Sequence, residues 1–316
     1  MAGFSVNTNE HLIRSNLWST ELKEVLLDKL IGMQWVDWLN DFPDGDTINI
    51  PSVGQMEVLN YTEGEAIRYQ SMDTGNFTFT VSKYKSSATY ITNKAKQDMY
   101  YTSRLISSFV PKQARALGKA MEVDMLAVGP LAQTAGNTNS INNAQHRWIG
   151  AGPNETIAVA DFAKAKFALD RANVPDDNRI AILDPTAEYT LNTLTNLTNV
   201  SNNPRWEGVI TTGLANGMHF VKNVYGFDVY TSNNLYNNTA VETVGALTST
   251  VGVNNLFFSA SADVLPIVGA VRQPPTVDSE YEKDFQREEY VTTCRYDFKL
   301  FRPENMVVLV TDTDQV

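Results

Sequence analysis

The chain has 316 residues, 43% of them hydrophobic, enough to bury a sizeable core in one large domain or two modest ones. A formal charge of −11 and a pI near 4.8 argue against a protein that grips nucleic-acid phosphates, which needs clustered Lys and Arg. A single cysteine, Cys294, excludes an internal disulfide framework and any multi-cysteine zinc site.

Residues 1–18 read as a loosely structured arm, and MAGFSVNTNEHLIR lacks the basic start and apolar run of a signal peptide. No apolar stretch approaches the ~20 residues that span a bilayer, so the expectation is a soluble protein made in a cytoplasm. Ser19 or Thr20 can cap a helix whose first turn holds Glu21 and Glu24, where the helix dipole favours acid. Its apolar face is Leu22, Val25, Leu26 and Leu30, and Gly32 ends it. Trp35, Val36 and Trp38 follow as a buried or docking cluster, and Phe42-Pro43-Asp44-Gly45 is a turn.

A β-rich region runs to about Ile91. Ile48 and Ile50 alternate with polar neighbours, and Pro51 marks a strand end or an edge. Phe77, Phe79 and Val81 alternate with Thr78, Thr80 and Ser82 as a half-buried strand. The excursion between them cannot bury itself and must lean on something else.

Asn93 to Val128 is the longest helical pattern. Met99, Ile106, Val110, Ala114, Leu117, Met121, Met125 and Val128 share one arc of ~100°, and the helix would be roughly 50 Å long. Pro111 removes a backbone donor, which predicts a bend or break within a turn of it. Residues 129–156, rich in Gly, Asn, Ala, Thr and Gln, read as a connection or crossover. Asp161–Ala172 is a second helix with Phe162, Ala165 and Leu169 on one face. Ile180–Leu183 is a short buried strand, and Asp184 caps a third helix with Pro185 at its first position.

An Asn-rich loop covers 196–204, and Val221–Thr231 is a strand pair around Gly226. Residues 232–254 read as another polar loop. Leu256–Ser259 and Val264–Val271 are apolar runs of strand length, and Glu280–Glu289 is charged and exposed. Val291–Leu300 and Met306–Val310 are strands joined by a turn, with Cys294 buried in the first as a small apolar side chain.

Chemistry is scarce. No glycine-rich phosphate loop, nucleophile elbow or paired-histidine metal motif occurs, and His11, His146 and His219 stand singly as ordinary surface or core residues. Glu63 and Glu65 flank Gly64 at an exposed tip where nothing desolvates them. Asp312 and Asp314 read as solvated tail charge. Asp44 and Asp46 lack the further ligands of a calcium loop. The expectation is no enzyme, no catalytic, cofactor-binding or metal residue, and no cofactor.

Seven patterns in one order resemble a known family. They are WSTELKEVLLDKLIGMQWVDWLNDF, DGDTINIPSVG, NYTEGEAIRYQ, FTFTVSKYKSSATYIT, ALGKAMEVDML, ANVPDDNRIAILDP with GFDVYTSNNL, and YDFKLFRPENMVVL. The chain resembles the major capsid proteins of tailed bacteriophages, and the resemblance covers most of it. It implies an α+β, Hong-Kong-97-type fold with an N-terminal arm and helix (1–43), and an extended β-hairpin E-loop with P-domain strands (44–91). A spine helix and linker of the P-domain (92–155), an A-domain (156–277) and C-terminal P-domain strands (278–316) complete it. The implied function is structural: hexamers and pentamers closing into an icosahedral head around double-stranded DNA, made in the host cytoplasm. Partners would be the chain itself, with scaffolding, portal and decoration proteins, and neither a membrane nor a specific nucleic-acid sequence. Some family members link an E-loop lysine to a neighbouring asparagine. Residues 54–76 contain no lysine, which predicts no such cross-link here. The alternatives are an encapsulin-type compartment shell and, from a different class, a β-rich surface or carbohydrate-binding module.

Overall fold

The computed structural model describes residues 30–39, 47–53, 60, 63–64, 66, 74–98, 102–133, 139–194, 223–238, 242–244, 247–249 and 251–312. The expected arm, the helix from Ser19 or Thr20, the turn at 42–45, most of the 54–76 excursion and the 196–204 loop lie outside these residues.

A tight turn at Gly32–Trp35 leads into β1 (Val36–Trp38). Trp35 and Val36 are buried, and Trp35 meets Tyr230 and Phe258 edge-on at 5.0 and 6.1 Å, as the aromatic cluster predicts. β2 (Thr47–Val53) and β3 (Thr74–Thr80) pair as an antiparallel ribbon, with Pro51 inside β2 opposite Asn76. In this two-stranded sheet both strands are edges, so the missing donor disturbs no central ladder. The ribbon does lean on its own chain: Phe79 and Val81 are buried against Val268 and Ala270, and Phe77 meets Phe301 at 4.9 Å.

β4 (Lys83–Thr92) runs straight into α1 (Asn93–Asp98). The long helix α2 spans Thr102–Leu126 with Pro111 inside it, so of the bend or break expected there the break does not occur. Pro111 is exposed. Of the expected stripe, Leu117, Met121 and Met125 are buried and Val128 is half-buried, whereas Ala114 is exposed and Gln113 takes the inward place. The side chains of Met99, Ile106 and Val110 lie outside the described residues.

Residues 129–156 are more structured than a crossover. α3 (Val128–Ala132) and the short pair β5 (Ser140–Ile141) and β6 (Ala144–Gln145) precede β7 (Arg147–Ile149), a strand of the main sheet. Polar side chains here are buried because backbone carbonyls receive them: Arg147 Nη1 donates to Pro130 O and Gln133 O at 2.9 and 2.6 Å. α4 (Val159–Arg171) starts where Asp161 Oδ2 accepts from the Ala158 amide at 2.9 Å, while its Oδ1 accepts from Trp148 Nε1 at 3.0 Å. β8 (Arg179–Leu183) is wholly buried, and α5 (Pro185–Thr193) begins with Asp184 Oδ2 accepting from the Thr186 amide at 2.9 Å, the cap the sequence predicts.

β9 (Asn223–Val224) and β10 (Phe227–Thr231) form a hairpin whose two loop residues, Tyr225 and Gly226, both hold positive φ (52° and 88°), the tight turn that suits strand twist. A small pair, β11 (Glu242–Val244) and β12 (Leu247–Ser249), precedes β13 (Val253–Ser259). The polar run of 232–254 therefore ends inside the core. Asn254 donates to Tyr236 O and Asn238 Oδ1, and Asn255 donates to Thr311 Oγ1 and accepts from the Asp184 amide. Two long strands follow, β14 (Ile267–Glu282) and β15 (Arg287–Leu300), then β16 (Val307–Thr311).

The main sheet has order β7-β16-β13-β8-β10-β9, and the second has order β1-β14-β15-β4. The central strands β8, β13 and β16 are wholly buried, and β8 and β16 are accordingly near-continuous apolar runs. Ile180, Ile182, Leu256, Phe258 and Val308 face α2 and the second sheet. Ala181, Leu183, Phe257, Val307 and Leu309 face α4 and α5, where Phe162, Phe227 and Phe257 meet edge-on at 5.2–6.3 Å. The fold is α+β. Its topology cuts across two expected boundaries: 277/278 falls inside β14, and β16 joins the sheet of residues 179–259.

Candidate functional site

The expected absence of clustered chemistry directs attention to surfaces. Among the described residues no three or more His, Cys, Asp or Glu gather to hold a metal, and no helix is long and apolar enough to cross a membrane. His146 is fully buried, with Nδ1 3.1 Å from Ala144 O and Nε2 3.2 Å from Glu304 O. Burial pulls its pKa down, against the pull of the two carbonyls. It ties the residues before β7 to the turn before β16. Cys294 is buried and its thiol is pushed up by burial, so it is inert packing. Glu63 stands exposed beside Gly64, whose φ of 91° fits a tip, and Asp312 follows β16. His11, His219, Asp44, Asp46, Glu65 and Asp314 lie outside the described residues.

What the sequence did not reveal is the size of the β14–β15 hairpin. With β4 it forms a three-stranded tongue, in register from Tyr296↔Lys83 to Arg287↔Thr92 on one side and from Ile267↔Leu300 to Glu282↔Arg287 on the other. Register shifts around Arg272 and Pro274-Pro275 let β14 continue past two residues that cannot donate.

The tongue is anchored on α2. Asp124 Oδ1 lies 3.1 Å from Lys83 Nζ, its Oδ2 lies 3.6 Å from Lys85 Nζ, and the buried Tyr296 hydroxyl donates to Oδ2 at 2.7 Å. Burial alone would raise the Asp124 pKa, but the Tyr296 bond and the two lysines outweigh it and hold the carboxyl below its ordinary range. Burial and Asp124 together push the Tyr296 phenol strongly up. Gln113 adds a neutral tie, accepting from Thr292 Oγ1 at 3.0 Å. Nearby, the buried Glu122 carboxylate accepts from the Gly32 amide and from Asn234 Nδ2, pinning the chain before β1 to the helix.

The outer half of the tongue is bare. Among the described residues β1 covers β14 only at Ile267–Gly269, and Pro274–Tyr281 are exposed without interruption. Arg287 fixes the tip: it bonds Glu282 and Glu289 and lies 4.8 and 4.6 Å from the rings of Tyr90 and Phe285, which are 59% and 61% exposed. α1 docks alongside, with Asn93 Nδ2 donating to Tyr281 OH at 2.8 Å and Lys96 Nζ 2.5 Å from Glu288. That bond lowers Glu288 and raises Lys96. A strand that is unpaired along one edge among the described residues, and exposed on both faces, is a liability in an isolated chain and an asset in an assembling one.

Comparison with known proteins bears on that choice. A family model described as "Phage capsid protein" matches residues 76–309. A search of curated proteins finds no match. Among solved structures, "Capsid structure of the Cyanophage P-SCSP1u" superposes with a TM-score of 0.73 at 17% identity, covering 98% of this chain and 95% of that one. "Mycobacterium phage Che8" gives 0.67 at 16%, covering 95% and 97%, and "Asymmetric unit of bacteriophage PhiM1 mature capsid" gives 0.68 at 11%, covering 96% and 93%. At these identities the structural likeness is one of fold.

Proposed function

The chain belongs to the phage capsid protein family and is a major capsid protein of the virion head, and from that premise we propose that it closes, as hexamers and pentamers, into an icosahedral shell around double-stranded DNA. The role is structural. No observation favours the encapsulin or carbohydrate-binding alternative.

The observation that supports this mode of action is the bare tongue, together with the β2–β3 ribbon. The outer residues of the tongue, Pro274–Tyr281, are exposed, and β2 and β3 pair with no third strand among the described residues. Residues 1–43 would be the N-arm and its helix, and 44–91 the E-loop and its return strand. α2 would be the spine of the P-domain, leading through 92–155 into the A-domain. The two sheets argue for adjusting the later boundaries: β14 and β15 belong with β4 and α2 in the P-domain, and β16 with β8 and β13 in the A-domain. Summed over a closed shell, many modest interfaces of this kind give a stable container. Scaffolding, portal and decoration proteins would be its further partners, and the host cytoplasm its place of synthesis.

Negative-stain microscopy of the expressed chain tests the proposal. Closed polyhedral shells are the expected result, and persistent monodisperse monomers under all conditions would overturn it.

A further inference from the structure

Three buried polar side chains gather at the Pro303–Asn305 turn, where the chain passes from β15 in the second sheet to β16 in the main one. Gln133 Nε2 donates to Pro303 O and Met306 O at 3.0 and 2.8 Å, and Arg147 Nη1 donates to Pro130 O and Gln133 O. His146 has Nδ1 3.1 Å from Ala144 O and Nε2 3.2 Å from Glu304 O. The Gln133 amide and Arg147 Nη1 each carry two hydrogens for their two carbonyls, whereas a neutral imidazole carries one. One of the two carbonyls on His146 therefore faces a bare ring nitrogen, and Gln133 Oε1 is buried in the same cluster without a donor. The cluster is short of hydrogens, and His146 is the member that can gain one. That hydrogen brings a positive charge onto a ring that is 0% exposed and one residue from the Arg147 guanidinium. Burial opposes the charge and outweighs the pull of the two carbonyls and of the Glu304 carboxylate. On the elements around it, Lys164 of α4 is turned to Gln145, Arg302 to Asp263 O, and Asp297 and Lys299 of β15 to Ser82 and Thr78. α3, residues 133–145 and β16 contribute no charged side chain.

We propose that His146 is an acid-operated latch: neutral, it holds the Pro303–Asn305 turn against the residues that enter β7, and when the ring takes up a proton this contact opens more readily. The place is a sensitive one. Asn305, in the same turn, donates to Ser259 O and Val264 O, so the connection from β13 to β14 meets the crossing from β15 to β16 here. The Val308 amide of β16 donates to His146 O at 2.8 Å, which puts the latch at the start of the β7–β16 pairing. Mild acid thus loosens the join between the two sheets. It leaves the Asp124 anchor of the tongue in place, because that carboxyl ionises below its ordinary range. The latch belongs to the folded subunit and does not depend on the capsid reading.

Urea unfolding of His146→Gln and wild type at about pH 7.5 and about pH 5.5, at protein concentrations too low for particles, tests this. A histidine whose folded value lies below its unfolded one of about 6.5 supports the fold in full above that value, and the support is lost as pH falls from there through the folded one. Between the two pH values the wild-type unfolding constant is expected to rise by up to about tenfold more than that of His146→Gln. His11 and His219 are common to both chains and drop out of the comparison. A merely structural role would weaken the variant by the same factor at both pH values. If His146→Gln does not fold, hydrogen exchange in the wild type carries the test. The Val308 amide should then lose protection in acid relative to the amides of β8, once intrinsic exchange rates are allowed for. Equal pH dependence in the two chains, or Val308 protection that stays level or rises in acid, overturns the latch and leaves the capsid reading intact.

Discussion

Asp124 gathers Lys83, Lys85 and Tyr296, and its charge is what holds them. A carboxyl held below its unfolded value of about 4 contributes stability that is complete above that value and drains away as pH falls through the folded one. Asp124→Asn is therefore expected to lower the melting temperature at neutral pH, with the gap to wild type shrinking as the pH drops below about 4. A gap that stays constant across that range would show the ionisation to be irrelevant. Asp184 tests a local rule instead. Asp184→Ala removes the acceptor for the Thr186 amide and should cost about 1 kcal/mol in chemical denaturation, with Asp184→Ser recovering most of it. The contrast between them explains what could be read in advance. The Asp184-Pro185 start signal is written in adjacent residues, whereas the Asp124–Tyr296 bond joins positions 172 apart and has no signature in sequence.

At the scale of elements, α2 carries its proline at a cost. Pro111 is exposed and the helix continues through it, so Pro111→Ala restores a backbone donor without disturbing packing. It is expected to stabilise the fold by up to ~3 kcal/mol, read from denaturant midpoints. No gain, or a loss, would mean that the proline shapes the helix in a way its neighbours require. The 3.6-residue period correctly gave the C-terminal half of the inward face, Leu117, Met121 and Met125, and the doubly apolar runs gave β8, β13 and β16. The tongue escaped because Pro274-Pro275 reads as a stop, and because the alternation of β14 beyond it sorts polar residues from polar residues. Asn254 and Asn255 escaped for a related reason: asparagine reads as loop, yet both are fully buried where neighbouring side chains and backbone satisfy their amides.

For the whole molecule, the absence of lysine from residues 54–76 predicts particles without a covalent ladder on a denaturing gel; a ladder would show that linkage proceeds through a lysine outside that span. Another consequence lies in where β16 sits. Residues 307–311 do not add to a rim of the main sheet but slot between β7 and β13, so β7 has β16 as its strand partner and β13 has one side open until β16 arrives. Synthesis runs from the N-terminus, so β13 is made before the strand that pairs with its second edge, next to Leu256 and Phe257. Translation itself thus keeps time. A chain cut short before 307 cannot complete its larger sheet.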